Sequence, residues 1–161
     1  MAQFVSAAEA VKKIHNGAVI ATSGFVGGLV AETILKEMQA SFLQAGAPRD
    51  LTIIFAAGQG DGGERGLNHL GEEGLLRCVI GGHFNLTPRI GKLINENKIL
   101  AYNLPQGTIS QWFRDIAGRR PGTITKVGLG TFVDPRVEGG RINPMTQSQQ
   151  EGWVEVVNSK N

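Results

Sequence analysis

The chain has 161 residues, 41% hydrophobic and 19% charged, with a net charge of +2, which makes about one domain around a single core and excludes a disordered segment. Apart from Arg119-Arg120 the basic residues are scattered, unlike the basic stripe of a nucleic-acid surface, and one cysteine, Cys78, allows neither an internal disulfide nor a cysteine zinc site. No apolar run reaches membrane-spanning length and the amphipathic start MAQFVSAAEAVKKIH lacks an export core, so a soluble cytoplasmic protein, with no membrane or nucleic-acid partner, is expected.

Ser6 with Glu9 three residues on forms a capping box that opens a helix to about His15, stopped by Asn16-Gly17. AVIATSGF then reads as a buried strand, AETILKEMQASFLQAG as a helix closed by Gly46, and LTIIFAAG as a second strand after the turn Pro48 to Asp50. GEEGLLRC reads as a short helix, CVIGGHF as a short strand, RIGKLINENK as a helix and ILAYNLP as a further strand. Gly107 to Gly118 is expected to be helical, Val127 to Val133 extended, and 143–161 a polar, loose tail. Strands alternating with helices predict one α/β domain with an open, mostly parallel sheet and helices on both faces through right-handed crossovers. In such sheets ligands bind off the carboxyl ends of the strands. The 23 glycines, about twice the average share of ~7%, concentrate at those ends: SGFVGG, AAGQGDGG, IGGHF and NLPQG.

Gly58-Gln59-Gly60-Asp61-Gly62-Gly63 satisfies GxGxxG after a strand, yet the apolar helix and the later acidic residue of a dinucleotide fingerprint are missing. A flexible active-site loop is the better reading. Cys78, among Leu75, Leu76, Val79 and Ile80, reads as an inert core residue, and Glu72-Glu73 as a first-turn pair favoured by a helix dipole. Ser23 before Gly24 lacks the GxSxG nucleophile turn because Ala21 stands where glycine is needed. His83, at a strand end after Gly81-Gly82, is a base or ligand candidate against the plainer reading of a hydrogen-bonded structural histidine. No histidines pair at a metal-ligand spacing, so no metal site is expected. What remains is a set of glycine turns able to present N–H groups to an oxyanion, and a neutral amide, Gln106, in the turn Pro105-Gln106-Gly107. On the residues alone, that amide either faces the cleft or caps a helix beginning near Thr108.

The segments TSGFVGG, ERGLNHLGEEGLL, IGGHF, ENKILAYNLPQG, FRDIAG, PGTITKVGLGTFVDPR and GGRIN, in this order, together resemble the amino-terminal part of family I CoA-transferases. The likeness is to the propionate or acetate CoA-transferase branch, related to succinyl-CoA:3-ketoacid CoA-transferase. One departure concerns acyl specificity: the broader family favours a GGFG-type turn followed by Gly-x-Pro, whereas this chain has Ser23 to Gly28 and then Ala31. The resemblance implies a glutamate nucleophile that passes through acyl-glutamyl anhydride and glutamyl-CoA intermediates. That glutamate lies in a carboxy-terminal half or β subunit to which nothing here corresponds, so the chain is expected to be a portion of an enzyme and inactive alone. Coenzyme A is a substrate, no cofactor is implied, and an acyl-CoA, a short-chain carboxylate and a second copy of the chain are the expected partners.

In this reading Gln106 helps bind the oxygen that gains charge, and Gly24, Phe25, Val26, Gly27 and Gly28 line the acyl or pantetheine channel. Gly58, Gly60, Gly82 and His83 complete the substrate-binding set, and Gly128 to Phe132 is expected to build a core strand under the site. A non-catalytic α/β module that binds acyl-CoA or nucleotide, or a structural subunit, is the alternative.

Overall fold

The computed structural model describes residues 3–150 and 152–156. Its first helix, α1 (Ala7–Val11), starts at the expected capping box: Ser6 Oγ accepts from the Glu9 N–H, and the Ser6 N–H donates to Glu9 Oε2 at 2.8 Å. It stops at Lys12, short of His15, because the chain already turns there to bring Gly17 (φ +76°) onto the carbonyl of Arg49. β1 (Val19–Thr22), α2 (Glu32–Ala45), β2 (Leu51–Phe55), β3 (Leu76–Gly81), α3 (Pro88–Asn95), β4 (Leu100–Asn103) and α4 (Gln106–Ala117) follow. Gly46 ends α2 at φ +69°, donating to the Phe42 carbonyl in a left-handed cap that suits glycine.

The strands form one parallel sheet in the order β1-β2-β3-β4. When each new strand is added on the same side, right-handed crossovers put all connecting elements on one face. That face carries α1, α2, α3 and a 3₁₀ helix (Gly66–Leu70), packed on the row Ile20, Ile53, Val79, Ala101 and on Phe55. One residue along, side chains point the other way, and Ile54, Ile80 and Tyr102 meet α4 through Ile109, Trp112 and Phe113. Helices therefore cover both faces, but the second layer is a helix added after β4 and not a crossover. It stops short of the edge: Val19 on β1 is 57% exposed and Ala21 is exposed. The segment AVIATSGF is thus a half-covered edge strand where a buried one was expected.

Two more expectations fail for local reasons. GEEGLLRC forms no helix; Gly74 sits at φ +91° and turns the chain so that Leu75 and Leu76 enter the core directly. Glu72 accepts from Arg89 and Gln39, and Glu73 from Lys98, so neither is a helix-dipole pair. Val127 to Val133 is a series of turns and supplies no core strand, with Gly128 (φ +92°) and Gly130 (φ +74°) left-handed and Leu129 and Phe132 exposed. Asp134 organises these turns, accepting from the Gly130 and Arg136 N–H groups and from the Arg136 guanidinium at 2.9 and 2.6 Å. Beyond it, Asn143 caps α5 (Pro144–Gln147), Thr146 Oγ1 accepts from the Ala101 N–H at 2.7 Å, and Trp153 packs 5.7 Å from Trp112. Residues 157–161 of the expected tail lie outside the described residues.

Acid should loosen this end of the molecule first. The Arg136 guanidinium, then the Gly130 and Arg136 N–H groups, hold the Asp134 carboxyl well below the usual range; the Thr123 hydroxyl leads in lowering Asp115. Because the folded value is the lower one, the stabilisation is complete above the ordinary value of about 3.9 and is lost as pH falls below it. Amide exchange at Gly130 and Arg136, corrected for intrinsic rates, is expected to accelerate below about pH 4 while Ile53 and Ile54 stay protected. Equal loss of protection at both places would show that the turns melt only with the sheet.

Candidate functional site at the carboxyl edge of the sheet

The last residues of the four strands, Thr22, Phe55, Gly81 and Asn103, stand in one row of the register. The turns SGFVGG, GQGDGG, GGHF and PQG therefore leave from the same edge, as the sequence predicts. They are joined to one another: the Val26 N–H donates to the Gly58 carbonyl at 2.8 Å, the Gly60 N–H to the Val26 carbonyl at 2.9 Å, and the Gly82 N–H to the Phe55 carbonyl at 3.2 Å. Asn103 Nδ2 donates to the Gly81 carbonyl at 2.8 Å. A Cβ on Gly58 would lie 2.7 Å from His83 Nδ1, so glycine there allows the half-buried histidine to lie against the turn.

The first turn is strained. Val26 has φ +54°, a left-handed conformation that costs a β-branched residue on the order of 1–3 kcal/mol. Its two bonds to Gly58 and Gly60, with the reciprocal Phe25–Gly28 backbone bonds at 3.0 and 2.9 Å, hold it there. Phe25 is 67% exposed at the tip, Gly24 packs closely on Val30, and a Cβ on Gly27 would meet nothing. Gln106 is the first residue of α4, with Pro105 as the N-cap and no side-chain capping bond. This overturns the alternative in which Gln106 caps a helix starting near Thr108. Its exposed amide stands at a helix N-terminus, where free N–H groups and the helix dipole favour negative charge, and its side chain lies over Gly82.

Gln59 is a residue that sequence reasoning passed over. It is 1% exposed; its Oε1 accepts from Thr22 Oγ1 at 2.9 Å, and its Nε2 is buried with no partner among the described residues. An unpaired buried donor is uncommon, and this N–H is open to a water or a bound group. The available signal was the repetition of Gly-Gln-Gly after β2 and Pro-Gln-Gly after β4.

The GxGxxG stretch leads into a 3₁₀ helix of five residues and no α-helix. Asp61 turns back onto the N–H groups of Arg65 and then Gly63, which hold its carboxyl below the usual range. The expected flexible loop is in fact tied down, since Gly62 and Leu67 donate to the carbonyls of Leu86 and Gln59. Cys78 is 2% exposed and burial pushes its thiol up to about 11, which suits a packed core residue and not a nucleophile. Among the described residues no group of three His, Cys, Asp or Glu could hold a metal. The edge can thus offer amide donors to an oxygen, while the Asp61 carboxylate is taken up by the N–H groups of its own turn.

Residues 4–155 match the model of the coenzyme A transferase family. The chain is 40% identical over 157 residues to the acetate CoA-transferase YdiF of Escherichia coli K12 and to the caffeate CoA-transferase of Acetobacterium woodii, covering 97% and 98% of this chain. It spans only 30% and 29% of those relatives. The solved structure of the acyl-CoA transferase YdiF apoenzyme from E. coli O157:H7 superposes with a TM-score of 0.89 at 40% identity, over 98% of this chain and 30% of that one. A thioester complex of that enzyme with CoA gives 0.90 over 98% and 32%. A variant of the decarboxylase AibA/AibB, at 18% identity and a TM-score of 0.57, shares the fold alone.

Proposed function

We propose that this chain, which belongs to the coenzyme A transferase family, supplies the oxyanion-binding portion of an enzyme that moves coenzyme A from a short-chain acyl-CoA to a carboxylic acid. The observation that carries the proposal is Gln106: an exposed amide at the start of α4, on the edge where four glycine turns meet. In the family chemistry a glutamate carboxylate attacks the thioester carbonyl, the C–S bond breaks and CoA thiolate leaves an acyl-glutamyl anhydride. The thiolate attacks the glutamyl carbonyl and releases the carboxylate, and the glutamyl-CoA thioester then passes CoA to the acceptor by the reverse steps.

Each attack places negative charge on a carbonyl oxygen, which Gln106 Nε2 stabilises without competing as base or nucleophile. The tip Phe25 to Gly28, with Gly24, lines the acyl or pantetheine channel, and Gly58, Gly60, Gly82 and His83 complete the contact surface. Coenzyme A is substrate here and no cofactor takes part. The nucleophile comes from the remainder of a family polypeptide or a β subunit in the cytoplasm. The β1 edge, where Val19 and Ala21 stay exposed beyond the reach of α4, leaves room for such a partner or a second copy to pack against the sheet.

The purified chain with acetyl-CoA and propionate is expected to form no propionyl-CoA by mass spectrometry. Adding a polypeptide that carries the remaining part of a family enzyme should start turnover. Turnover by the chain alone would place a nucleophile within these 161 residues, and silence of the complemented mixture would count against the oxyanion role.

A further inference from the structure

We propose that His69 is a positioning residue for the turn from Gly58 to Gly66 and acts only when both of its ring nitrogens carry protons. The ring lies 9% exposed on the 3₁₀ helix, between two acceptors: Nδ1 is 2.9 Å from Gln39 Oε1 and Nε2 is 2.9 Å from Glu32 Oε1. Gln39 cannot turn its nitrogen to the ring, because Gln39 Nε2 donates to Glu72 Oε1 at 2.7 Å and Glu72 also accepts from Arg89 at 2.8 Å. Glu32 is likewise an acceptor on both oxygens, since Oε2 takes the Gly66 N–H at 2.8 Å. A neutral imidazole has a single N–H. Both contacts therefore require one proton more than a neutral ring and a carboxylate contain, and Nε2 carries it, because Glu32 stays a carboxylate. Without it, one contact sets lone pair against lone pair.

Glu32 transmits this to the site. Gly66, at φ +65°, is pressed against the Gln59 carbonyl, where a Cβ would come within 2.6 Å, and the Leu67 N–H donates to that same carbonyl at 2.9 Å. Gln59 in turn is bonded to Thr22, and its neighbours Gly58 and Gly60 hold Val26 in its strained turn. The charged groups around the ring are Glu32 from α2, Arg65 beside it, and Glu72 and Arg89 across Gln39. The His69 hydrogen bond leads in holding the Glu32 carboxyl below the usual range. Its contribution is accordingly complete above the ordinary value of about 4.3 and lost as pH falls below it. What the turn binds rests on the proposed acyl-CoA reading; the clamp itself does not.

The test uses the isotope-labelled chain in solution. NMR should show both His69 ring nitrogens protonated wherever the Gly66 amide is protected. On raising the pH, exchange at Gly66 (corrected for intrinsic rates) and tryptic cleavage after Arg65 should each rise about tenfold as the proton leaves. Glu32→Gln provides a rescue: its carboxamide can donate to a neutral Nε2 while its oxygen still accepts from Gly66. Protection in that variant should no longer depend on the proton, whereas His69→Phe should be unprotected throughout. A ring with one N–H beside a protected Gly66, or the same pH course in wild type and Glu32→Gln, would overturn the proposal. Acetyl-CoA separates the two ideas: if the clamp titrates as described but no amide from Gly24 to Gly28 or Gly58 to Gly60 shifts on its addition, the clamp stands and the acyl-CoA reading falls.

Discussion

Gln106→Ala in a complete enzyme containing this chain should lower kcat by roughly 10²–10³, the usual loss for one oxyanion donor. KM should change far less, because the donor is used as charge develops and not when substrate docks. The two quantities separate the roles open to this residue. A purely structural glutamine would affect folding, and here the effect on folding should be small: the side chain is exposed and makes no capping bond to α4. The thermal midpoint of Gln106→Ala is therefore expected to stay near that of the wild type, as for most surface substitutions, which fall within about ±0.5 kcal/mol. Gln106→Glu keeps the shape but sets a carboxylate at the developing oxyanion, and should be slower than the alanine variant. Unaltered kcat in Gln106→Ala would leave this residue as an ordinary first-turn residue of a helix.

The parts of the fold that local sequence could specify are those whose residues meet nearby partners. The Ser6–Glu9 capping box, the glycine cap of α2 and the apolar runs of β2 to β4 each depend on neighbours within a few positions. The failures lie where a distant segment decides. AVIATSGF looks buried because its residues are apolar, but strand order puts β1 at an edge that α4 does not reach. GEEGLLRC and Val127 to Val133 have apolar residues in plausible patterns, and left-handed glycines at 74, 128 and 130 override them. The site divides the same way. Gln106 was visible because proline and glycine flank it at a strand end. Gln59 has nearly the same local setting, yet its burial and its unpaired nitrogen depend on Thr22, 37 positions away. Glu32 and His69, equally far apart in sequence, carried no local signal.

Gly82→Ala should damage both folding and catalysis, while Gly107→Ala, one turn further along the same edge, should damage neither the fold nor the sheet contacts. A Cβ on Gly82 would sit 2.2 Å from the Ala56 carbonyl oxygen and 2.4 Å from Gln106 Cγ. The first contact is with backbone at the end of β2 and cannot be relieved by a rotamer change, so β2 and β3 must part or Gly82 must shift. Overpacking of this kind costs typically about 1–3 kcal/mol, read as a lower denaturation midpoint at constant m-value. The second contact falls on the side chain assigned to the oxyanion, and displacing such a group by about 1 Å can itself cost on the order of 10² in rate. Gly107 offers the control, because a Cβ there meets nothing and alanine is favoured over glycine in a helix by about 1 kcal/mol. The complete enzyme with Gly82→Ala, assayed well below its denaturation midpoint, should therefore lose kcat beyond what any unfolded fraction explains. If Gly82→Ala lowers stability but the folded enzyme keeps its kcat, Gln106 can move without consequence, and the oxygen that gains charge must be bound elsewhere on this edge.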